Sequence, residues 1–451
     1  MTCGQQTSLA IAQEENNLYA TVETVLKEAK RLGATACEVG ASVDTGLSAT
    51  ARMGEVDTVE FSRDRGISVT VYFDQRKGSA SSSDDTAEAV RETVKAACHI
   101  ARYTSEDPFS GLAGSDQMAT QSPDLDLYHP WDITAEQAIE KALACESAAL
   151  SASDKIVNSE GATLNTHHGS RIYGNSHGFV GTHRSSSHSV VCSVIARDKD
   201  EMQGDYWYSV ARRNDQLDDL TAIGQQAARR ALGKLGSRQI PTAKVPVLLS
   251  ADIASGLVGS LMSAISGASL YREASFLLNR RGQQIFPEWV SIYERPQLPG
   301  AMGSAAFDGD GLQTRNNAFI TDGILENYLL STYSARKLGM TSTANAGGAR
   351  NIFLDSNGGD LDALIAQMDK GLLITDLIGH GVNIVTGDYS RGASGFWVEN
   401  GEIQFPVSEV TVAGNLKNMF ANIRSVGNDV DRRKNIQTGS ILIDDMMVAG
   451  S

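Results

Sequence analysis

Glycine is unevenly distributed along this chain, and its distribution constrains what the second half can fold into. Residues 251–451 hold 25 of the 43 glycines, which disfavours long helices there because glycine destabilises helix interiors. Asp322-Gly323 and Asn400-Gly401 each stand between two short strand-like runs and are strong hairpin signals. Short helices are predicted at 332–338, 360–370 and 415–423. The pattern therefore predicts antiparallel β-structure with a few helices.

The first half combines helical and strand-like patterns. Amphipathic spacing predicts helices at 15–33, 86–103, 135–152 and 216–235. Thr134 and Gln137 form a capping-box pattern before the third of these helices. Ile67–Phe73 alternates apolar and polar residues as a strand does. A polar strand region is predicted at 155–212, with turns at 159–161 and 174–178. The fold class is predicted as α+β, with an N-terminal α/β domain at 1–240 and a β-rich C-terminal domain at 241–451.

Acidic side chains outnumber basic ones. The 54 Asp and Glu stand against 39 Lys and Arg, for a formal charge of -15, and such a surface repels the phosphate backbone of nucleic acids. The N-terminus lacks the basic and apolar regions of a secretory signal, and the most apolar long stretch, 245–270, is too polar for a membrane span. Five widely spaced cysteines disfavour a disulfide framework. We predict a cytoplasmic protein that binds neither nucleic acid nor membranes.

Histidine is concentrated in one short region. Five of the eight histidines lie there: His167, His168, His177, His183 and His188. Such a tract can bind zinc or nickel, but no pair has H-x-H or H-x-x-x-H spacing, which favours a polar β-surface with hydrogen-bonded imidazoles over a metal site. Beyond this region the only histidine is His380, and no cysteine follows Cys192. The C-terminal half therefore cannot supply the paired histidines of a zinc peptidase.

The segment Gly387–Gly395 (GDYSRGASG) concentrates glycine and serine with one arginine. It is not a nucleophile elbow, because Phe396 breaks the G-x-S-x-G pattern. It is interpreted either as a loop that presents backbone N–H groups to a carboxylate or peptide carbonyl, or equally as a packed turn between strands. Asp308-Gly309-Asp310-Gly311 predicts a sharp turn rather than a calcium-binding loop. No phosphate-binding glycine motif is present.

Several stretches resemble the TldD/PmbA family, whose members were historically named modulators of DNA gyrase. They are TYSARKLG at 332–339, AGG at 346–348, GDYSRGASGFWVENGEI at 387–403, RKGSA at 76–80 and GNSHG at 174–178. The similarity extends over essentially the whole chain and is to the PmbA branch, also called TldE. It implies an N-terminal α/β domain and a larger, β-rich C-terminal domain. It also implies cytoplasmic peptide processing with TldD as partner, the pair acting as a metalloprotease.

The resemblance also indicates where the metal site of the family would lie. TldD carries H-E-x-x-x-H on a helix just after the first strand of the C-terminal domain, and a cysteine ligand further on. The corresponding helix here is Ser255–Gly267, where Gly259, Ser260 and Ala264 occupy the positions of the motif. The cysteine position falls near Val426–Asp429, again without a ligand. The resemblance therefore implies no metal or catalytic residue in this chain, and zinc is expected in the TldD-like partner.

Three functions remain under consideration. The first is a non-catalytic metalloprotease subunit that shapes a protected channel and binds unfolded peptides, as an added strand. Its proposed peptide-binding residues are Gly387, Asp388, Tyr389, Ser390, Arg391, Gly392, Ser394, Asn400 and Gly401. The second is an independent peptidase that uses Ser390, Ser394 or the histidines of 167–188. The third is a regulatory binding protein linked to DNA gyrase or antitoxin control. The paired subunits of the family also favour a homodimer when the chain is isolated.

Overall fold

The N-terminal half is built on a single antiparallel sheet. The computed structural model describes residues 3–450, with side chains from residue 13 onwards. Six strands lie in the order β3-β2-β1-β4-β5-β6. Their bounds are β1 (Ala36–Arg52), β2 (Glu55–Phe73), β3 (Arg76–Ser82), β4 (Ile156–Asn175), β5 (Val180–Asp198) and β6 (Glu201–Ala211). The predicted strand Ile67–Phe73 is confirmed as the last part of β2.

Helices cover one face of this sheet. They are α1 (Cys3–Arg31), α2 (Ala87–Tyr103), α3 (Ala135–Leu150) and α4 (Leu220–Gly233), with short 3-10 turns at Ser115–Gln117 and Asn214–Gln216. Alternate strand residues such as Val39, Ala41 and Val69 are buried beneath α1 and α2, and a second cluster lies beneath α3 and α4. The residues between them point to the opposite, helix-free face. The capping box of Thr134 and Gln137 is confirmed, whereas α1 begins well before the predicted residue 15.

One predicted turn is a strand irregularity. Residues 159–161 lie inside β4, where the pairing register with β5 shifts by one residue. Gly161 has φ of +117°, a conformation open to glycine, so the glycine marks a β-bulge and the turn prediction is wrong there. The other predicted turn is confirmed, because Gly178, with φ of +88°, lies between β4 and β5.

The C-terminal half contains many short elements. Its helices are α5 (Ala251–Ala264), α6 (Gly267–Tyr271), α7 (Thr332–Lys337), α8 (Leu361–Ile365) and α9 (Leu416–Ala421). Its strands are β7 (Ala243–Leu249), β8 (Ile292–Glu294), β9 (Asn317–Thr321), β10 (Ile324–Leu325), β11 (Ile352–Leu354), β12 (Lys370–Ile378), β13 (Asp388–Glu399), β14 (Glu402–Asn415), β15 (Ile423–Val426), β16 (Ile436–Gln437) and β17 (Ile441–Ala449). The short helices predicted from sequence are confirmed in α7, α8 and α9.

Five of these strands close on themselves. The pairing order β14-β13-β12-β7-β17 returns to β14, because Thr411, Val412 and Ala413 of β14 also pair with β17. A closed sheet has no free edges among its members. The largest apolar cluster of the described residues includes side chains of these strands, among them Leu372 and Ile443. A second sheet, β10-β9-β8-β11-β16, lies alongside.

Both predicted hairpins and the α+β fold class are confirmed. Asp322 and Gly323, and likewise Asn400 and Gly401, have positive φ values between 50° and 76°, as a type I′ turn requires. The C-terminal part is β-rich, but it is not the larger part, since the predicted boundary leaves 240 residues before it and 211 after it. Within residues 3–450, each helix is too short or too polar to cross a membrane.

Candidate functional site

The segment Gly387–Gly395 singled out in the sequence lies, from Asp388 onwards, in a strand and not in a loop. The strand belongs to the closed sheet β14-β13-β12-β7-β17, which we call the barrel. Asp388–Glu399 form β13, preceded by Gly387 in a turn with φ of +82°. β13 pairs with β14 on one side and with β12 on the other. Beyond the end of β12, the N–H of Ser390 donates to the carbonyl of Gly381 at 2.7 Å. The loop prediction is therefore wrong, and an extended peptide finds no free backbone edge here.

Glycine in β13 reflects close packing. A Cβ atom at Gly395 would lie 1.8 Å from the carbonyl oxygen of Leu373 in β12, so that position admits only glycine. Tyr389 and Trp397 are 4% and 6% exposed and belong to the barrel core. At Gly395, glycine is therefore needed because the backbone of β12 approaches closely.

The other residues of the predicted site lie along the same hairpin. Asp388 and Ser390 are exposed, and hydrogen bonds from Thr386 and then Asn415 lower the pKa of Asp388. Arg391 donates to the carbonyl of Leu377 at 3.1 Å.

Gly392 and Ser394 are half-buried inside the strand. At the hairpin tip, the N–H groups of Asn400 and Gly401 donate to the carbonyls of Asp369 and Met368 at 2.6 and 2.8 Å. These N–H groups are therefore engaged within the protein. A role of the nine residues in peptide binding stays a prediction.

Helix α5 is the helix that the resemblance aligns with the zinc-binding helix of TldD. Ser260 donates its hydroxyl to the carbonyl of Gly256 at 3.0 Å, and Ala264 is fully buried. A Cβ atom at Gly259 would be 3.8 Å from the side chain of Ile436. Near the cysteine position, Asp429 accepts hydrogen bonds from the N–H and hydroxyl of Ser440. Gly259, Ser260 and Ala264 carry no zinc-binding group, and the single carboxylate of Asp429, held by Ser440, does not make a zinc site by itself. The residues at these positions therefore do not fit the metal of the family.

The five clustered histidines are dispersed over β4, β5 and the turn between them. His167 and His168 are consecutive in β4 and so face opposite sides of the sheet. His188 is buried and hydrogen-bonded through both ring nitrogens, to Thr166 and to the carbonyl of His129. His177 is exposed in the turn. No three His, Cys, Asp or Glu side chains of the described residues are grouped so that they could hold a metal ion.

A shallow polar groove crosses the helix-free face of the N-terminal sheet. Its volume is about 680 Å³. Small residues line much of it: Gly40, Ser42, Gly66, Ser68, Ser81 and Gly169. Gly66, Ser42, Arg171 and His183 are direct cross-strand neighbours on β2, β1, β4 and β5. With Ser81 of β3 also in its lining, the groove extends from β3 to Arg171 and His183.

At Arg171 and His183 the groove meets a second cavity, which we call the arginine cavity. It measures about 380 Å³ and lies between the N-terminal sheet and the C-terminal half. Arg171 of β4, Arg212 just after β6 and Arg350 just before β11 all line it. Arg212 connects the two halves, because it donates to the carbonyl of Ser186 at 2.7 Å and to that of Met302 at 2.6 Å.

The charges in the arginine cavity affect two titratable neighbours. Burial, followed by the guanidinium groups of Arg212, Arg350 and Arg171, lowers the pKa of His183 to about 4. Burial and then the carboxylate of Asp310 raise the pKa of Asp308 to about 6. Backbone N–H donors at 2.9–3.0 Å hold both oxygens of Asp308, within the sharp turn predicted at 308–311. At neutral pH the cavity therefore contains three cations, one carboxylate and a neutral imidazole.

Sequence reasoning missed this cavity, although one signal was available. The predicted turn around Gly178 sets the register of β4 against β5 and places Arg171 opposite His183. Arg212 and Arg350 come from distant parts of the chain, and no local pattern connects them to that pair. Only the tertiary packing of the two halves reveals the cluster.

Known proteins similar to this chain cover nearly its full length. Three family models match it in succession: PmbA/TldA metallopeptidase domain 1 at residues 37–101, the central domain at 128–235 and the C-terminal domain at 242–450. A metalloprotease PmbA homolog from Haemophilus influenzae is 46% identical over 446 residues, or 99% of this chain and 98% of that protein. Metalloprotease PmbA from Escherichia coli O157:H7 is 47% identical over 92% of each chain.

Two further comparisons place these matches in context. A crystal structure described as a modulator of DNA gyrase from Bacteroides thetaiotaomicron has a TM-score of 0.91 and 27% identity, covering 96% of this chain and 99% of its own. A metalloprotease TldD homolog from Buchnera aphidicola is 27% identical over 224 residues, covering 46% of this chain and 45% of its own. The proteins named PmbA thus have a higher sequence identity to this chain, over a larger share of its length, than this protein named TldD has.

Proposed function

Because the chain belongs to the PmbA/TldD metallopeptidase family, we propose that it is the PmbA/TldE-type subunit of a cytoplasmic metalloprotease. In this proposal a TldD-like partner carries the zinc site, and the present chain contributes peptide binding and the shape of the channel. The extensive similarity to proteins named PmbA supports this choice of branch. The existence of relatives named TldD supports the choice of partner.

The observation that carries the proposal is the composition of helix α5. A zinc peptidase needs imidazole, thiolate or carboxylate ligands and a general base next to the metal. Gly259 has no side chain and Ala264 has only a methyl group. The hydroxyl of Ser260 already donates a hydrogen bond within the helix. A subunit without ligands at this position needs its chemistry from elsewhere in the assembly.

The peptide-binding role is proposed for the N-terminal sheet more than for the barrel. The backbone of β13 is paired on both edges, so the added-strand mode does not apply to it. The groove of about 680 Å³ is open and lined by small polar residues, which allow a peptide backbone to approach closely. Asp388 and Ser390, which are exposed on β13, remain proposed contacts for the peptide or for the partner.

Metal analysis and peptidase assays test the proposal together. The purified chain is expected to contain no stoichiometric zinc and to leave an unfolded peptide intact, whereas addition of the TldD-like partner is expected to produce cleavage. The control is the partner alone at the same concentration. One zinc ion per chain combined with cleavage by the chain alone would refute the proposal.

The same assay addresses the independent-peptidase hypothesis. If the chain alone cleaves peptide, single substitutions Ser390→Ala, Ser394→Ala and His177→Ala decide whether these residues are responsible. An unchanged rate in all three variants rejects that set. If the catalytic centre lies in the partner, all three variants are expected to retain the peptidase activity of the reconstituted pair.

A further inference from the structure

We propose that the arginine cavity binds the terminal carboxylate of a peptide whose chain lies in the adjoining groove. This inference rests on the proposed peptide-binding function and adds to it a defined end of the substrate and the residues that recognise it. The groove and the cavity share Arg171 and His183, so one extended ligand can occupy both.

The first argument is an excess of positive charge. Arg350 donates hydrogen bonds only to the neutral carbonyl groups of Gly348 and Ala346, at 3.1 and 3.2 Å. The nearby carboxylates of Asp308 and Glu294 offset part of its charge without forming an ion pair with it. Arg212 is 8% exposed and likewise donates only to carbonyl groups, while its Nε has no partner. A buried guanidinium without a counter-ion is unfavourable. A carboxylate that enters the cavity would supply the missing negative charge.

The second argument is that one guanidinium is free to form a bidentate contact. Arg171 is exposed at the junction of groove and cavity, and its guanidinium lies across Gly40, where a Cβ atom would be only 3.3 Å from Nη2. Its side chain makes no hydrogen bond or ion pair with the described residues. Arginine holds carboxylates through two parallel N–H donors.

The third argument is the apolar part of the lining. Tyr173 and Phe307 both line the cavity, with ring centroids 6.4 Å apart. Phe179 packs against Phe307 at 5.4 Å and extends the aromatic cluster. Cationic and aromatic surfaces in one cavity suit a terminal residue that combines a carboxylate with an apolar side chain.

The carboxylate of Asp308 lowers the net positive charge of the cavity. It lies in the cavity lining, and its oxygens are held by backbone N–H groups rather than by an arginine. The three arginines still outnumber it, so the lining attracts anions, whether carboxylate or phosphate. The adjoining groove, which can hold an extended chain, favours the carboxylate of a peptide.

Fluorescence polarisation with a labelled peptide tests the proposal on the full chain alone. The probe is Ala-Ala-Phe with an N-terminal fluorescein, prepared as the free acid and as the C-terminal amide. The free acid is expected to bind at least about 10-fold more tightly than the amide, since the amide cannot form the charge-assisted hydrogen bonds between carboxylate and guanidinium. Arg171→Gln and Arg350→Gln are each expected to weaken binding of the acid by about 10-fold and to leave the amide unchanged.

The controls separate the site from general charge and from folding. Arg272→Gln removes the same charge at an exposed position where the arginine lies over Tyr271, and unchanged binding is expected. Thermal unfolding checks each variant. Arg171→Gln removes no hydrogen bond or ion pair with the described residues, so it keeps the test valid if Arg350→Gln fails to fold.

Several results would overturn the proposal. Equal affinity for acid and amide would exclude carboxylate recognition, and unchanged affinity in both arginine variants would exclude this cavity. Inorganic phosphate that displaces the peptide at lower concentration than acetate does would assign the cavity to a phosphate group instead. Because the assay needs neither partner nor cleavage, its outcome is independent of the reconstitution experiment. Failure of either proposal can therefore be recognised separately.

Discussion

Gly66 and Gly395 stand in similar sequences but in opposite surroundings. Gly66 belongs to SRDRGIS at residues 62–68, and Gly395 ends SRGASG at 390–395. At Gly395 the strand has neighbours on both sides within a closed barrel. At Gly66 the strand β2 has only β1 beside it, because β3 begins to pair at Ile67. Glycine thus accommodates a neighbouring backbone in one place and lines an open groove in the other.

This contrast shows why composition alone does not reveal whether a glycine-rich segment is exposed. Glycine and serine in a row suggest an exposed, adaptable loop, which is one of the two interpretations that the sequence allows for residues 387–395, the other being a packed turn. Exposure depends on how many edges of a strand are paired, which is a property of the sheet and not of the segment. The open groove lined by Gly66, which we propose as the peptide-binding surface, lies in the first half of the chain.

The largest expected effect is that of an added methyl group at Gly395. Its Cβ atom would lie 1.8 Å from the carbonyl oxygen of Leu373, a backbone atom that cannot move aside without distorting β12. Gly395→Ala is expected to lower the free energy of unfolding by about 4 kcal/mol or more, as measured by chemical denaturation. The matched control is Gly392→Ala, whose Cβ atom would approach Ile378 only to 3.4 Å. Similar losses in both variants would contradict the account of close backbone approach.

The next effect concerns His183 and depends on pH. Folding lowers its pKa from 6.5 to about 4, mainly by burial and then by the three arginines. The unfolded chain therefore takes up a proton between these two values that the folded chain does not, so stability falls as the pH decreases through this window. Relative to His183→Gln, the wild type is expected to lose about 3 kcal/mol of unfolding free energy between pH 7 and pH 4.

Denaturation curves of both proteins at several pH values check this expectation. The raised pKa of Asp308 acts in the opposite direction, destabilising the folded state as the pH rises through about 6, but it is present in both proteins and largely cancels in the difference. Parallel stability profiles would show that His183 is not held neutral by the cavity. That result would also weaken the case for an excess of positive charge around it.

What the sequence predicted correctly depends on residues close together in the chain. The capping box of Thr134 and Gln137 and the hairpins at Asp322-Gly323 and Asn400-Gly401 each involve a few consecutive residues whose own chemistry determines the local conformation. The pairing of β14 with β17, by contrast, depends on packing across the whole C-terminal half. The position of Arg350 in the same cavity as Arg171 depends on that packing too, and no local pattern predicts it.

The smallest expected effect is that of the same methyl group placed at Gly66. Its Cβ atom would meet only the hydroxyl of Ser42 at 3.3 Å, and that side chain can rotate away. Because alanine also restricts the unfolded chain more than glycine does, the unfolding free energy of Gly66→Ala is expected to stay within about 0.5 kcal/mol of the wild type. The measurement is the same chemical denaturation as for Gly395→Ala, so the two variants form a direct pair. A loss of about 2 kcal/mol or more at Gly66 would mean that the groove is packed as closely as the barrel, and the peptide-binding surface would then have to lie elsewhere.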